Sequence, residues 1–283
     1  MIAKVLRMLR RRLRPRRRAA RPSGAGQGIA KSIGVIDKPS TPAEGPSLWS
    51  LLETYIPNDH ALQVNARYYL DKVMSGPDAP RHVLDLGCGN GNSVDAFRGH
   101  DASIAWVGVD IGDSQEVRAR RRKDATFVTY DGTRVPFPDG TFDLVYSSQV
   151  LEHVPDPLVH LREIARVLRP GGMFIGSTSQ LEPYHSMSYW NITPFGFVTL
   201  VRAAGLQVLE LRPGIDGVTL TLRSYFGRPS GFDVWWNGES PLNAEIDAWG
   251  RETGRRPALI NLRKLHMCGQ FAFLVTRKAA ADA

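Results

Sequence analysis

The chain has 283 residues, 42% of them hydrophobic, which is enough for one sizeable core. Its two cysteines, Cys88 and Cys268, stand far apart, and its seven histidines show no zinc-type spacing, so we predict neither a disulfide framework nor a bound metal. Residues 1–22 carry a charge of +10, so the rest of the chain accounts for 8 − 10 = −2 of the net charge of +8. A nearly neutral remainder lacks the basic face of a nucleic-acid-binding domain.

Residues 1–22 hold Lys4 and nine arginines, together with apolar residues at helical spacing. The apolar stripe is made of Ile2, Val5, Leu6, Leu9 and Leu13. Such a helix can lie on an anionic lipid surface, while a solvated basic arm and a mitochondrial presequence are the alternatives that the composition leaves open. The stretch that follows is rich in Gly, Pro and Ser, so we assign residues 1–45 to a tail and flexible linker and residues 46–283 to one domain.

Beyond residue 46, strand-like and helix-like segments alternate, and no apolar run approaches the ~18 residues of a membrane-spanning helix. Residues 48–74 predict a helical cover for the sheet that is broken near Pro57. Two further helices are predicted to begin at Asp156-Pro157 and at Thr193-Pro194, because a capping side chain followed by proline is typical of a helix start. We therefore predict an α/β, Rossmann-like domain with a seven-stranded, mostly parallel sheet and helices on both faces. The predicted strands are His82–Leu86, Ile104–Asp110, Thr126–Tyr130, Phe142–Ser147, Met173–Ser177, Leu206–Leu211 and Gln270–Thr276.

A glycine-rich turn follows the first predicted strand, with glycines at positions 87, 89 and 91 and a helix expected from about Ser93. Glycines let the backbone turn sharply and approach a ligand closely. The dinucleotide fingerprint needs its third glycine at position 92, which is Asn92 here. Asp85 would repel a pyrophosphate but suits the ammonium group of an amino acid. The turn therefore favours an amino-acid-bearing nucleoside as its ligand.

Acidic residues also end the next two predicted strands. Asp110 stands nineteen residues after Gly91, where a carboxylate can accept both hydroxyls of a ribose. Asp131, followed by Gly132, is placed to accept from an adenine amino group. Because ligands of open α/β sheets bind beyond the carboxyl ends of the strands, we expect these acids to face one crevice.

At this point the sequence resembles the class I S-adenosylmethionine-dependent methyltransferases of the ubiquinone/menaquinone-biosynthesis type, the methyltransferase type 11 domain. The resemblance rests on residues 83–91, Asp110, residues 135–145, residues 151–154 and residues 168–172. It implies S-adenosylmethionine as cofactor and a methyltransferase activity. The resemblance places the methionine part at Asp85, Gly87, Cys88, Gly89 and Gly91, the ribose at Asp110 with Ile111 beside it, the adenine at Asp131 and Gly132, and the methyl donor near Ser148 and Gln149.

The acceptor is less well defined by these motifs. Residues 182–185 and 189–194 resemble bacterial methyltransferases of polysaccharide biosynthesis, a shorter likeness, and no Asn/Asp-Pro-Pro-aromatic tetrad follows the fourth strand. We therefore expect methyl transfer to oxygen of a small-molecule or glycan-linked acceptor, with His185 as candidate general base or, alternatively, a pocket residue. The insertion at about residues 215–268 concentrates aromatic side chains and is expected to be a helical substrate cover, or part of the core.

Two other functions remain open. The membrane-prone tail also suits methylation of a quinone or lipid precursor, and an RNA methyltransferase would use the tail as an electrostatic arm. The lack of basic excess outside the tail disfavours nucleic acid. We expect a cytoplasmic enzyme with peripheral contact to anionic membrane through residues 1–22.

Overall fold

The computed structural model describes residues 47–279. The tail and linker predicted for residues 1–45 therefore lie outside the described residues. Residues from Leu51 onward form one compact unit. No helix among the described residues has the length and hydropathy needed to cross a membrane.

The described residues fold as a sheet with flanking helices. The strands are β1 (His82–Leu86), β2 (Ala105–Ile111), β3 (Thr126–Tyr130), β4 (Phe142–Ser148), β5 (Leu168–Ser179), β6 (Leu206–Pro213) and β7 (Gln270–Arg277). The α-helices are α1 (Leu48–Leu52), α2 (Ala66–Met74), α3 (Ser93–Arg98), α4 (Gln115–Ala119), α5 (Pro157–Val167), α6 (Pro194–Ala203), α7 (Gly217–Tyr225), α8 (Pro241–Glu252) and α9 (Pro257–Met267), with 3₁₀ turns at Glu53–Tyr55, Leu151–His153 and Ser230–Trp236.

The seven strands form one sheet in the order β3-β2-β1-β4-β5-β7-β6. Neighbouring strands are parallel except for β7, which runs antiparallel to both β5 and β6. The carboxyl ends of β1 to β6 therefore lie at one edge of the sheet, and the insertion between β6 and β7 leaves and returns at that edge. The predicted fold class is confirmed.

Both faces of the sheet are buried, as successive side chains of β5 illustrate. Ile175 belongs to a core cluster with Tyr69 and Leu70 of α2 and Phe97 of α3. Its neighbour Phe174 instead contacts Phe273 of β7, whose ring packs 4.5 Å from that of Phe197 in α6. Consecutive residues of a strand point to opposite faces, so helices cover both sides.

The helix starts agree with the sequence. Asp156 caps α5 by accepting hydrogen bonds from the backbone N–H groups of Leu158 and Val159, and Thr193 caps α6 by accepting from Gly196. In each case a proline follows at the first helical position, where its missing N–H costs nothing.

The predicted break near Pro57 is confirmed, but it extends to residue 65, so the prediction of helix is wrong for residues 58–65. This segment is held without helical structure by hydrogen bonds to the insertion: the Gln63 side chain donates to the carbonyl of Trp235, and Asn261 donates to the carbonyls of Pro57 and His60. These tertiary contacts replace the local helical bonds and override the local preference.

Candidate cofactor and acceptor site

The turn after β1 is built from glycines whose backbone has positive φ, at 80° for Gly87, 51° for Gly89 and 81° for Gly91. A Cβ on Gly87 would stand 2.8 Å from Val150 Cγ1 and closer still to Cγ2. A Cβ on Gly91 would stand 2.7 Å from the ring of Phe127. Both the conformation and the space therefore require glycine at these positions.

Asp110 joins this turn to β2. Its Oδ2 accepts a hydrogen bond from the backbone N–H of Gly89 at 2.7 Å, and its Oδ1 accepts from the N–H of Ile111 at 2.8 Å. Burial raises the pKa of Asp110, although the two hydrogen bonds act in the opposite direction. Each carboxyl oxygen retains a second lone pair, so the side chain can still accept from two adjacent hydroxyl groups.

Asp85 lies beneath the turn and is 3% exposed. Its Oδ2 accepts a hydrogen bond from the hydroxyl of Ser93 at the start of α3, and the Ser93 oxygen in turn accepts from Trp106 Nε1 at 3.0 Å. Burial raises the pKa of Asp85 to about 7 despite the Ser93 hydrogen bond. A ligand ammonium group would reach this carboxyl from the turn side and favour its charged form.

Cys88 places its Sγ 3.9 Å from the carbonyl oxygen of Gly89 in the turn. Its side chain is buried, and its Sγ would lie 2.7 Å from a Cβ placed on Gly108 of β2. Burial raises the pKa of the Cys88 thiol to about 12, so the thiol is neutral at physiological pH.

Arg120 is a residue that the sequence analysis missed. It follows α4, and its Nε donates to the carbonyl of Gly89 at 2.8 Å. Its guanidinium lies 4.0 Å from the centre of the Phe127 ring. The side chain therefore supports the glycine turn from the side of β3. An arginine thirty-one residues from its partner offers no sequence signal for this contact.

Asp131 and Gly132 follow β3. Asp131 Oδ1 accepts hydrogen bonds from the backbone N–H groups of Arg134 and Thr133. These two bonds lower the pKa of Asp131, and the bond from Arg134 has the larger effect. Asp131 is thus the cap of a turn. A Cβ on Gly132 would lie 3.5 Å from Ile111 Cγ2, and the Ile111 side chain is 44% exposed. The ends of β2 and β3 are therefore adjacent and offer an apolar contact.

Ser148 and Gln149 end β4. Gln149 has φ 57°, a strained conformation for a residue with a side chain. Its N–H donates to the carbonyl of Ser177 at 2.9 Å, its Nε2 donates to Ser177 Oγ at 2.9 Å, and its Oε1 lies 3.1 Å from Ser179 Oγ. Ser148 Oγ is 3.1 Å from Ser177 Oγ. The end of β5 therefore fixes both residues.

His185 lies in the connection from β5 to α6. Its Nδ1 lies 3.1 Å from the carbonyl oxygen of Pro183, and its ring packs edge-on against that of His153 with centroids 5.2 Å apart. Burial, with a smaller effect of His185, lowers the pKa of His153. Glu152 is 0% exposed and accepts from the hydroxyls of Thr178 and Ser179, each at 3.0 Å. Burial raises the pKa of Glu152.

Contacts connect the glycine turn with α4 and with the end of β4. The Glu116 Cβ of α4 would lie 3.2 Å from a Cβ on Gly89, and the negative charge of Glu116 offsets a small part of the lowering of the His153 pKa by burial. Val150, the neighbour of Gln149, packs against Gly87. The structure thus brings the glycine turn and the ends of β2 and β4 together.

Most of the insertion is helical, in α7 to α9 and the 3₁₀ turn at Ser230–Trp236, but its aromatic residues play different roles. Phe232 is 8% exposed and belongs to the core, whereas Tyr225 is 80% exposed. The guanidinium of Arg223 lies 5.3 Å from the centre of the Trp236 ring. Only part of the predicted cover is therefore free to meet an acceptor.

A shallow depression elsewhere on the surface is not part of this site. It is lined by Arg98, Trp106, Asp124 and neighbouring residues at the amino-terminal ends of β2 and β3. That edge is opposite to the glycine turn, so chemistry at the turn does not involve it.

Residues 84–176 match the family described as a methyltransferase domain. A probable S-adenosylmethionine-dependent methyltransferase of Mycolicibacterium smegmatis is 30% identical over 142 residues, which is 46% of this chain and 53% of that protein. The 27-O-demethylrifamycin SV methyltransferase of Amycolatopsis mediterranei is 40% identical over 98 residues, 32% of this chain and 35% of that protein. The 2-methyl-6-phytyl-1,4-hydroquinone methyltransferase of Synechocystis is 36% identical over 97 residues, 33% of this chain and 30% of that protein.

The chain thus spans from about a third to about a half of the length of these relatives. A similar fold occurs in a solved structure, the complex between the Haloferax volcanii Trm112 methyltransferase activator and a proposed methyltransferase. The match has a TM-score of 0.50 and 20% identity, and it covers 76% of this chain and 90% of that chain. Residues 84–176 are thus similar in sequence to S-adenosylmethionine-dependent methyltransferases, and the described residues share the fold of the Haloferax neighbour. The quinone-biosynthesis subtype is not distinguished by these matches.

Proposed function

We propose that this protein transfers a methyl group from S-adenosylmethionine to a hydroxyl oxygen of a small-molecule or glycan-linked acceptor in cell-surface polysaccharide biosynthesis. The observation that carries the proposal is the hydrogen bond between Gly89 and Asp110, because it joins the glycine turn to a carboxylate that can accept from two hydroxyl groups, as a ribose offers. We assign the adenine contact to Ile111 and Gly132 and the methionine ammonium group to the buried carboxyl of Asp85. The relative named 27-O-demethylrifamycin SV methyltransferase acts, by its name, on a compound that lacks a methyl group on oxygen, which supports oxygen as the acceptor atom here.

S-adenosylmethionine supplies a methyl group on a positively charged sulfur, which leaves with the C–S electron pair. The acceptor oxygen forms the new O–C bond and must lose its proton. The protein's first task is alignment, since holding the oxygen in line with the methyl group can supply about 7–11 kcal/mol. Gln149, fixed by Ser177 and Ser179, is proposed to border the reacting atoms.

His185 is the proposed general base. The carbonyl of Pro183 lies 3.1 Å from its Nδ1 and accepts the Nδ1–H, so that Nε2 carries the free lone pair. Imidazole is the side chain best suited to accept a hydroxyl proton near neutral pH. Glu182 Oε1, 3.9 Å from Nδ1, would stabilise the imidazolium that forms.

A second acceptor class, a quinone or other lipid precursor, is favoured by the apolar surface around His185. Tyr184, Met187 and Tyr189 are 76%, 78% and 60% exposed. The name of the Synechocystis relative, a hydroquinone methyltransferase, agrees with this alternative. The glycan alternative is supported by Tyr225 and the Arg223–Trp236 pair at the same edge of the sheet.

The two classes are separated by supplying the full-length protein with S-adenosylmethionine labelled in its methyl group. Oligosaccharides carrying free hydroxyls, a short-chain quinol and total RNA serve as acceptors. Label in the oligosaccharides supports the glycan proposal, and label in the quinol selects the second class. Label in RNA alone would overturn both.

We also propose that residues 1–22 bind anionic membrane peripherally, with residues 46–283 as the methyltransferase domain. Attraction to anionic lipid contributes about 1 kcal/mol per basic residue close to the surface. Replacing Leu6, Leu9 and Leu13 by Gln should abolish binding to phosphatidylserine vesicles while all charges are kept. Salt-sensitive binding to RNA without vesicle binding would contradict this proposal.

A further inference from the structure

Beside the proposed acceptor position, three side chains that stand apart in sequence approach one another. Glu152, His153 and His185 each bring one metal-ligating atom to within 4.8 Å of the others. Thirty-two residues separate the two histidines. The sequence spacing, which predicts no metal, gives no indication of this cluster.

Hydrogen bonds already engage two of the three side chains of the cluster, His185 and Glu152. The carbonyl of Pro183 engages Nδ1 of His185, which leaves Nε2 as the ligand atom. The carboxyl group of Glu152 is held by the hydroxyls of Thr178 and Ser179. Carbonyl and hydroxyl groups of this kind orient the ligands of metal sites in proteins.

His153 supplies the second observation. Its Nδ1 is buried and has no hydrogen-bond partner among residues 47–279. A buried polar atom without a partner costs about 1–3 kcal/mol, and a cation bound to its lone pair would remove that cost. The His153 ring also packs edge-on against the His185 ring, with centroids 5.2 Å apart.

We propose that Glu152, His153 and His185 form a site for a divalent transition-metal ion, with Zn²⁺ as the best match. Two imidazoles and one carboxylate are a donor set that suits Zn²⁺, whereas Mg²⁺ and Ca²⁺ take mainly oxygen ligands. Tetrahedral bonds of about 2 Å place ligand atoms roughly 3.3 Å apart, so side-chain rotations that draw the atoms about 1.5 Å closer complete the site. Water would take the fourth position.

Occupancy has a consequence that rests on the proposed function. Coordination uses the Nε2 lone pair of His185, which the proposed base needs for the acceptor proton. A bound ion therefore inhibits methyl transfer, and a chelator restores it. The site itself does not depend on this consequence.

The test is calorimetric titration of the untagged full-length protein with ZnCl₂. We expect one ion per chain, and an affinity at least about tenfold lower for His153→Ala and for His185→Ala. His266→Ala, an exposed histidine in the last turn of α9, is the matched control and should bind as the parent does. Co²⁺ absorption bands of a four-coordinate site, lost in the same two variants, give an independent readout.

Failure of the parent protein to bind Zn²⁺, or equal binding by all three variants, would overturn the site. Titration of each variant with S-adenosylmethionine shows whether it is folded, and it also separates the two proposals. Zn²⁺ binding without S-adenosylmethionine binding would reject the proposed function and leave the metal site standing. A rise of methyl transfer on adding Zn²⁺ would overturn the inhibition.

Discussion

Asp110 accepts the backbone N–H of Gly89 at 2.7 Å, so the end of β2 and the turn after β1 form one unit. The bond connects two neighbouring parallel strands at the proposed cofactor position. A change to this carboxylate therefore acts on the ligand and on the shape of the turn together.

Asp110→Ala is expected to weaken S-adenosylmethionine binding by roughly 1.5–3 kcal/mol, the contribution of hydrogen bonds to a charged group. Asp110→Asn, which can still accept the Gly89 N–H, should lose less. Asp78→Ala removes an exposed acid from the loop before β1 and serves as control. Calorimetry measures all three, and an unchanged affinity in Asp110→Ala would remove this residue from the site.

Asp85 predicts a dependence of stability on pH. Its folded-state pKa of about 7 lies above its unfolded value of 3.8. The folded protein therefore binds more protons between these values, and the stability from this group is lost as pH rises through that window. Asp85→Asn should remove about 3 kcal/mol of this loss between pH 5 and pH 8. Urea unfolding at pH 5 and pH 8 tests it, with equal pH dependence of the parent and variant as the contrary result.

Gly87 is expected to tolerate alanine less than Gly171 does. Both have positive φ, 80° and 77°, so both substitutions carry a backbone cost of about 1–2 kcal/mol. Only at Gly87 does the new methyl group overlap Val150, while Gly171 has nothing within 4 Å. Overlap in a packed region adds about 1–3 kcal/mol. Equal free energies of unfolding for the two variants would show that Val150 moves aside.

The sequence predicts the strands well because their apolar runs are bounded by turn residues. Both ends of β1 and β3 agree with the structure. The strand β5 is longer than predicted, since Leu168 already pairs with Phe142 ahead of an irregularity in the ladder. Residues 58–65 could not be predicted, because their conformation depends on hydrogen bonds to residues about 170–200 positions away.

The residues of the candidate site that lie on or just after the strands could be predicted from the sequence. Asp85 and Asp110 occupy β1 and β2, whose neighbouring positions follow from the alternation of strands and helices. Arg120 and the cluster of Glu152 with His185 were not predictable, because side-chain contacts between separate loops leave no periodic pattern.

His185→Ala should lower turnover by about 10²–10⁴-fold while S-adenosylmethionine affinity stays nearly unchanged. The rate is measured with the acceptor found in the labelling screen, in the presence of a chelator. His266→Ala is again the control. A loss smaller than tenfold, or a rate that is flat from about pH 5 to pH 8, would make His185 a pocket residue and leave the reaction to alignment.

The central claim is that the turn and Asp110 bind S-adenosylmethionine. The most direct measurement is calorimetric titration of the full-length protein with S-adenosylmethionine, S-adenosylhomocysteine and NAD in parallel. We expect S-adenosylmethionine and S-adenosylhomocysteine to bind once per chain and NAD not to bind. The dinucleotide fingerprint needs a glycine where this chain has Asn92, and the buried carboxyl of Asp85 next to the turn would repel a pyrophosphate. Binding of NAD without binding of S-adenosylmethionine would contradict the account.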